Sequence, residues 1–248
     1  MDRLLYVSSV GLANLEQAQT AHANNLANVS TRGFRADLAR VVAKEVSGDG
    51  YQTRVYGINE GAGVDLSEGT RLETGRSLDV AIDGSGLFEV LDSQGLPAYT
   101  RDGALRTDQF GQLLSSRGQP VMGQGGPIVL PPHESILVGS DGSITIRPQG
   151  QGSEALVQID RLKLVNPPAE QVRKDASGML RNVAAEAEAF AADESVRVSS
   201  GFLESSNVNA VHELTEILAL ARQFELEVRM MNVAETNDEA ASQLLRIG

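Results

Sequence analysis

The segment that decides the fold spans residues 214–231 and reads LTEILALARQFELEVRMM. Apolar residues recur in it at alternating spacings of three and four, which is the period of a helix with one buried seam. The six positions of this seam are Leu214, Ile217, Ala221, Phe224, Val228 and Met231. Acidic and polar residues take the next seam positions, so the pattern weakens toward the C-terminus. Residues 208–246 predict one helix of about 58 Å at 1.5 Å per residue.

The length of this predicted helix raises the question of what covers its apolar seam. A partner helix is one answer, with the two seams packed as in a coiled coil. The β domain of the same chain, lying beneath the helix, is the other answer, and periodicity alone favours neither. Ser206 and Asn207 stand just before the helix and have the side-chain oxygens of an N-cap.

A second helix is predicted over residues 2–30, at the opposite end of the chain. Its seam positions, again three and four apart, are Leu5, Ser8, Leu12, Leu15, Gln19, His22, Leu26 and Val29. Alanines beside this seam favour a helix and permit the close approach of another backbone. The turn residues at 30–33, which end in Gly33, predict the helix stop.

The middle of the chain has the pattern of short antiparallel strands. Leu78, Val80 and Ile82 alternate with less apolar residues, which is the period of a strand. Turn sequences such as Asp92–Gly95 and Asp108–Gly111 recur about every ten residues. We therefore predict an α+β protein with paired terminal helices, a central all-β domain and an extended connector. The predicted parts are an N-terminal helix at 1–35, a connector at 36–76, a β domain at 77–199 and a C-terminal helix at 200–248.

Charge excludes one large class of functions. The formal net charge is −12 and no run of Lys or Arg occurs, so binding to nucleic acid is not expected. Residues 1–40 contain four Arg and three acidic residues, whereas 205–248 contain three Arg and seven acidic residues. These opposite biases favour pairing of the two ends, although each exposed ion pair contributes only about 0–1 kcal/mol.

The sequence contains no segment that we expect to be cleaved or to span a membrane. Arg3 precedes a few apolar residues, but Asp2 cancels its charge and Glu16 lies where the apolar run of a signal peptide would continue. We expect the N-terminus to be retained. The chain has no Cys, which excludes disulfides and thiolate metal sites.

Catalytic, metal and cofactor sites are not predicted. The three His residues are His22, His133 and His212, and no two of them have the spacing of metal ligands. The glycine-rich stretches lack the following helix and the Lys of a phosphate loop, so we interpret them as turns. We predict that the chain is not an enzyme and binds no small-molecule substrate.

Four motifs resemble those of the flagellar rod and hook family, and they occur in the same order. Asn24–Arg35 (NNLANVSTRGFR) resembles the N-terminal signature of that family. The C-terminal signature is similar to Ser206–Leu214 (SNVNAVHEL) continued by RQFE at 222–225. Between them, Leu78–Phe88 (LDVAIDGSGLF) and Tyr99–Gly103 (YTRDG) are similar to β-domain motifs of rod members. The resemblance thus covers nearly the whole chain.

The resemblance implies a structural rod subunit of the flagellar basal body that spans the periplasm. Its terminal segments would pair as an inner helical layer beneath the β portion, its partners would be copies of itself and other rod proteins, and the flagellar export apparatus would secrete it. The opening residues Met1–Tyr6 resemble the proximal members of the family, with the distal members as the alternative. The expected assembly interface comprises Leu5, Leu12, Leu15, Asn24, Asn25, Leu26, Asn28, Gly33, Phe34, Ser206, Asn207, Val208, Asn209, Leu214, Ile217, Ala221, Phe224, Val228 and Met231.

A hypothesis from another class stays open on the sequence. The chain would then be a soluble enzyme or a ligand-binding β domain, and its terminal helices would form a dimerising coiled coil. That hypothesis requires a pocket in which polar side chains converge, and the sequence contains no pattern that predicts one.

Overall fold

The computed structural model describes residues 3–39, 41–45, 55–59, 63–150, 155–175, 177–184 and 188–246. Long helices lie near the two ends of the chain and short strands lie between them, so the fold is α+β. In chain order the elements are α1 (Arg3–Ala27), β1 (Asp37–Leu38), β2 (Val41–Glu45), β3 (Val55–Asn59), β4 (Gly63–Val64), β5 (Arg71–Glu73), β6 (Val80–Asp83), β7 (Leu87–Leu91), β8 (Pro97–Thr100), β9 (Arg106–Thr107), β10 (Leu113–Leu114), β11 (Met122–Gly123), β12 (Gly126–Pro127), β13 (His133–Val138), β14 (Ser143–Pro148), β15 (Val157–Arg161), β16 (Leu164–Val165), a 3₁₀ turn (Ala169–Gln171), β17 (Val172–Lys174), β18 (Leu180–Asn182), β19 (Arg197–Ser200), β20 (Phe202–Glu204) and α2 (Ala210–Arg246).

The chain forms two compact units. The first, called the helical unit, consists of Met1–Ala27, Asp37–Gly63 and Asn209–Gly248. The second, called the β unit, consists of Asn28–Ala36 and Val64–Val208. The last residues of the N-terminal signature and the first of the C-terminal signature therefore belong to the β unit. Part of the segment predicted as a connector, including the antiparallel β2–β3 hairpin, belongs to the helical unit.

Within the helical unit, α1 and α2 run antiparallel to each other. Nδ1 of His22 lies 2.6 Å from Oε2 of Glu213. Earlier in α1, a side chain added at Gly11 would meet the carboxyl carbon of Glu227 at 3.7 Å. Moving backward along α1 thus means moving forward along α2. The contact is lined largely by small and polar side chains, because Ser8, Ala18 and Asn25 of α1 and Glu213 and Ala234 of α2 are buried.

The buried face of α1 differs from the predicted seam in one of its two rows. Ser8 and Leu15 are buried as predicted, but the row beside them contains Ala18 and Asn25 instead of Gln19 and Leu26. Gln19 and Leu26 are only half-buried. Asn25 of this row lies 3.4 Å from Glu213 of α2, so the row faces the helix partner.

The β unit has an apolar core to which its antiparallel strands contribute many of the side chains. Its five-stranded sheet has the order β16-β7-β8-β18-β17, and a three-stranded sheet has the order β13-β14-β15. The apolar alternation in β6 directs Val80 and Ile82 into the core, where Phe88 and Ile144 join them. All four side chains are at most 1 % exposed. The β unit can therefore satisfy its own apolar residues.

Aspartates at the starts of loops fix the turns of the β unit. Oδ1 of Asp92 accepts hydrogen bonds from the backbone N–H of Gln94 at 2.7 Å and of Leu96 at 2.8 Å. Asp108 accepts in the same way from Phe110 and Gln112, each at 2.8 Å. An aspartate that replaces a backbone acceptor stabilises a turn locally, which is why these loops are recognisable in the sequence.

Candidate assembly junction and helical surface

The end of the N-terminal signature turns sharply at Gly33. This residue has a φ of 63°, and a Cβ there would lie 2.3 Å from the backbone nitrogen of Asp102. Its own N–H donates to the carbonyl of Glu204 at 2.9 Å. A residue with a side chain would meet both strain and a clash, so glycine is required. The turn directs Phe34 and Arg35 into the β unit, where both are buried.

Arg35, Arg101 and Glu204 form a buried ion cluster in the β unit, which we call the arginine junction. Nη2 of Arg35 donates to Oε1 of Glu204, and Nη2 of Arg101 donates to the same oxygen at 3.2 Å. Nε of Arg101 lies 2.8 Å from Oε2 of Glu204. Each of the three side chains is only 1 % exposed. Burial lowers the pKa of Arg35 from its ordinary value, and Glu204 opposes this by raising it.

The arginine junction joins distant parts of the sequence. Arg35 ends the N-terminal signature, Arg101 lies in the YTRDG motif, and Glu204 lies just before the C-terminal signature. Removing the carboxylate of Glu204 would leave two buried guanidinium groups without their partner, which costs about 3–5 kcal/mol. The junction therefore makes the fold of the β unit depend on all three segments.

Asn207 forms a second connection between the two signatures. Its Oδ1 accepts a hydrogen bond from the N–H of Ala36 at 2.8 Å. Its Nδ2 donates to the carbonyl of Asp65 at 3.0 Å and lies 3.3 Å from that of Ser67. The N–H of Asn207 also donates to the carbonyl of Phe34 at 3.3 Å. An amide side chain is needed here because it must both accept and donate.

Asn25 has a comparable role inside the helical unit. Its Oδ1 accepts from the N–H of Asp37 at 2.7 Å, and its Nδ2 donates to the carbonyl of Asp37 at 3.0 Å. Asn24 donates to Oδ2 of the same residue at 2.6 Å. Nδ2 of Asn25 also lies 3.4 Å from Oε1 of Glu213. The side-chain amides of Asn24 and Asn25 therefore form these hydrogen bonds within the same chain.

The N-cap of α2 is Asn209, which lies two residues later than the predicted cap at Ser206 and Asn207. Its Oδ1 accepts hydrogen bonds from the N–H groups of Val211 at 3.0 Å and His212 at 3.2 Å. Ser206 is buried, and its Oγ accepts from the N–H of Val208 at 3.2 Å. Asn207 is occupied in the β unit, so Asn209 is the polar residue left to cap the helix.

The predicted seam of α2 is only partly covered by α1. Ile217 and Met231 are half-buried, but Leu214 is 51 % exposed, Phe224 41 % and Val228 36 %. Leu218, next to the predicted seam, is also 51 % exposed. Further around the helix, other large apolar side chains are exposed, namely Val211, Leu226, Met230 and Val233. We call the face with Leu214, Leu218 and Val228 the outer stripe.

The remaining predicted interface residues are distributed over both units. Leu12 and Leu26 of α1 are half-buried, and Leu15 is buried. Just after α1, the backbone carbonyl of Asn28 accepts a hydrogen bond from the N–H of Thr31 at 3.0 Å. Ala221 and Val208 are half-buried. The side chain of Leu5 lies outside the described residues.

Sequence reasoning missed the arginine junction as a site. Arg35 and Arg101 both lie in recognisable motifs, but nothing in the sequence indicates that they are buried together. The available signal is that Arg35 stands at the end of its motif and that Glu204 follows two apolar residues, Phe202 and Leu203. Only the fold reveals that the three charges meet.

A polar groove of about 620 Å³ lies between three loops of the β unit and includes Asp92, Arg117, Asp175 and Arg181 in its lining. Nη2 of Arg181 donates to Asp92 at 2.6 Å, and its Nε donates to Asp175 at 2.7 Å. Burial acts to raise the pKa of each carboxyl, but hydrogen bonds from loop groups and from Arg181 together outweigh it, so each pKa lies below its ordinary value. Both carboxylates are therefore held as charged partners of Arg181, an arrangement suited to tying loops together.

Two further features are absent from the part of the chain that the structure describes. Neither of the helices there has a stretch apolar and long enough to cross a membrane. Among the same residues, no three His, Asp or Glu side chains are grouped so that they could hold a metal ion.

Three family models match the chain in the order of the motifs. The model described as flagella basal body rod protein matches residues 5–35. The flagellar hook protein FlgE/F/G D1 domain matches 81–146, and the flagellar basal body rod FlgEFG protein C-terminal model matches 199–244. These matches define the class as flagellar rod and hook proteins, and none of the three models describes an enzyme.

Relatives that match over their full length identify the family within this class. The chain is 36 % identical to the flagellar basal-body rod protein FlgF of Salmonella typhimurium over 99 % of both chains. It is 31 % identical to FlgF of Caulobacter vibrioides over the full length of both, and 29 % identical to FlgG of Buchnera aphidicola over 97 % of this chain. The chain belongs to the flagellar basal-body rod protein family, and it is a structural subunit of the rod.

Proposed function

We propose that the chain polymerises helically in the proximal rod, where its terminal helices pack with those of neighbouring copies and of other rod proteins as an inner coiled-coil-like layer. The β unit would then face outward around a hollow shaft. The observation that carries this proposal is the outer stripe of α2, which α1 leaves uncovered. Leu214 and Leu218 remain half-exposed although they lie on or beside the best helical seam of the sequence.

The face of α2 that contacts α1 and the faces that point away from it differ in what they contact. Buried residues such as Ser8 and Asn25 line its contact with α1, whereas large apolar residues face away. Burying a Leu fully is favourable by about 1.5–3 kcal/mol. A helix that is apolar on several sides is stable only when neighbours cover it. Helices of adjacent subunits are the neighbours that a polymerising rod protein supplies.

The expected interface residues have two roles in this proposal. The outer stripe, together with Ala221 of α2 and the half-buried Leu12 and Leu26 of α1, contacts adjacent subunits. The second group stabilises the fold within each unit, and it comprises Asn25 in the helical unit and Gly33, Phe34 and Asn207 in the β unit. Support for this division comes from the intrachain hydrogen bonds of Asn25 and Asn207.

The assignment to the proximal part of the rod rests on resemblance. The opening residues Met1–Tyr6 resemble the proximal rod protein FlgF, and full-length FlgF relatives reach 36 % identity. The distal rod is the alternative, since FlgG relatives also match. The proposal includes secretion through the flagellar export apparatus with an uncleaved N-terminus and a final position in the basal body across the periplasm.

The mechanical task of the subunit would be to transmit torque while leaving the export channel open. Interdigitated side chains between long helices resist shear as a protein core does. This task requires no catalysis, and we propose none.

The test is the substitution Leu214→Asp in a bacterium whose only copy of the gene carries it. We expect loss of rod assembly and of motility, while the β unit keeps its fold by circular dichroism. Leu137→Asp is the matched control, because Leu137 of β13 is 53 % exposed in the β unit. Leu214→Met tests whether any apolar side chain at this position is sufficient for rod assembly, and we expect the strain that carries it to swim. Normal motility of the Leu214→Asp strain would contradict the proposal.

A further inference from the structure

The arginine junction contains more positive than negative charge. Arg35 and Arg101 supply two guanidinium groups, and Glu204 is the carboxylate that contacts both of them. All three side chains are 1 % exposed, so water does not screen the charges within the junction. Asp65 is a further carboxylate whose charge acts to raise the pKa of Arg35, but among the described residues it forms no ion pair with either arginine. A buried charge that lacks a partner is costly, because the surrounding protein solvates it less well than water does.

Three buried atoms of the junction have no hydrogen-bond partner among the described residues, namely Nε of Arg35, Nε of Arg101 and Oε2 of Glu204. The last two lie 2.8 Å apart as an ion pair, so Nε of Arg35 is the atom left without a counterpart. Oε1 of Glu204 accepts from both arginines and from the N–H of Gly69 at 2.7 Å. Since the N–H at Nε of Arg35 can only donate, the group that Arg35 lacks is an acceptor.

A small cavity lies beside the two arginines, within the β unit. Its volume is about 20 Å³. The charged residues of its lining are Arg32, Arg35, Arg101, Arg117, Lys174 and Asp102. Asp102 is the acidic exception, and its oxygens accept hydrogen bonds from Ser116 and from the N–H of Ala104.

We propose that this cavity binds a small monovalent anion of the size of chloride. About 10–15 Å³ is the minimum that one water molecule needs, so the cavity accepts a single atom-sized ligand and excludes a side-chain carboxylate. A water molecule would fit, but it brings no negative charge. An anion accepts from the unpartnered donor and balances the second guanidinium.

This site is independent of rod assembly. Every residue that forms it belongs to the β unit. The proposal on the outer stripe could fail while the anion site stands, and the reverse is equally possible.

The first experiment is thermal unfolding of the full-length chain in sodium chloride and in sodium gluconate at constant ionic strength. Gluconate is too large for the cavity. We expect the Tm of the β unit to rise with chloride and to saturate after about 2–4 °C. A Tm that is equal in the two salts, or that rises without saturating, would overturn the proposal.

A pair of variants assigns the effect to the cavity. Arg35→Met removes one lining charge, and we expect the chloride-dependent shift to vanish. Arg106→Gln removes a positive charge from an exposed position, so the shift should remain. A shift that survives in Arg35→Met, or one that disappears in Arg106→Gln, would contradict the assignment.

A measurement on the unmodified chain tests the anion site even if Arg35→Met does not fold. Crystals of the full chain grown in bromide should give an anomalous-scattering peak in the cavity beside Arg35 and Arg101. Density there without an anomalous signal would identify water and refute the anion site.

Discussion

The two units of this protein differ in where they place their apolar side chains. In the β unit, Phe88 and Ile144 are at most 1 % exposed, and polar groups occupy the turns. In the helical unit, Asn25 and Glu213 are buried between the helices, whereas Leu218 of the outer stripe faces away from α1. A single chain can complete the first arrangement. The second is completed only by additional helices, as our proposal of rod assembly requires.

The largest expected effect comes from the core of the β unit. Phe88→Ala should lower the free energy of unfolding by about 3–5 kcal/mol, because it removes a buried ring and leaves a cavity. Urea denaturation followed by circular dichroism measures this change. Phe110→Ala is the matched control, since Phe110 lies at a loop tip and is 78 % exposed. Its effect should stay within about 0.5 kcal/mol. Equal effects of the two substitutions would contradict a self-sufficient apolar core in the β unit.

A loss of stability of similar size is expected at the arginine junction. Glu204→Ala leaves two buried guanidinium groups without their carboxylate and should cost about 3–5 kcal/mol in the same assay. Glu73→Ala removes the same side chain from an exposed position on β5, the strand that pairs with the one carrying Glu204. We expect it to cost at most about 1 kcal/mol. A Glu204→Ala chain as stable as the Glu73→Ala chain would mean that the junction does not stabilise the β unit.

An intermediate effect is expected from alkaline pH. Burial raises the pKa of Tyr99 to about 12, although its hydroxyl accepts a hydrogen bond from the N–H of Phe190. The unfolded chain loses the phenol proton near pH 10, so stability is fully present below pH 10 and falls as the pH rises toward 12. The loss amounts to about 2–3 kcal/mol over that range. Wild type and Tyr99→Phe should be compared by urea denaturation at pH 9 and pH 11.5. We expect the stability of the Tyr99→Phe chain to decline less than that of the wild type, and a decline as steep as the wild type's, or steeper, would refute this interpretation.

The smallest effect on the isolated chain is expected in the outer stripe. Leu218→Ala should change the stability of the isolated chain by no more than about 0.5 kcal/mol, because the side chain is already half in water. The same substitution should weaken rod assembly, measured as the number of intact basal bodies per cell. A large loss of stability in the isolated chain would indicate that the stripe is covered within one molecule.

Local signals explain how much of this fold is predictable. The three-four repeat at 214–231 predicts α2. This helix begins at Ala210, two residues after its expected start at residue 208. The aspartate turns at Asp92 and Asp108 are recognisable, since each depends on side-chain hydrogen bonds to residues close in sequence. The terminal signatures identify the family because each of them is a short, contiguous run of residues.

The rest depends on contacts between residues far apart in sequence. Glu204 meets Arg35 across 169 positions, and no local pattern indicates that pairing. The face of α1 could not be chosen because both rows beside Ser8 and Leu15 contain suitable residues, and the choice is made by α2. The predicted N-cap was wrong because Ser206, Asn207 and Asn209 all have capping side chains, and only the fold assigns two of them to the β unit.

The absence of Cys from the sequence allows the most direct test of the central proposal. A single Leu218→Cys chain should react rapidly with a maleimide reagent when isolated, because that position is half-exposed. In basal bodies purified from cells that assemble this chain, we predict that the same cysteine is protected and that it reacts again after the rods are dissociated. Equal reactivity in the isolated chain and in intact rods would show that the outer stripe is not the surface that neighbouring subunits cover.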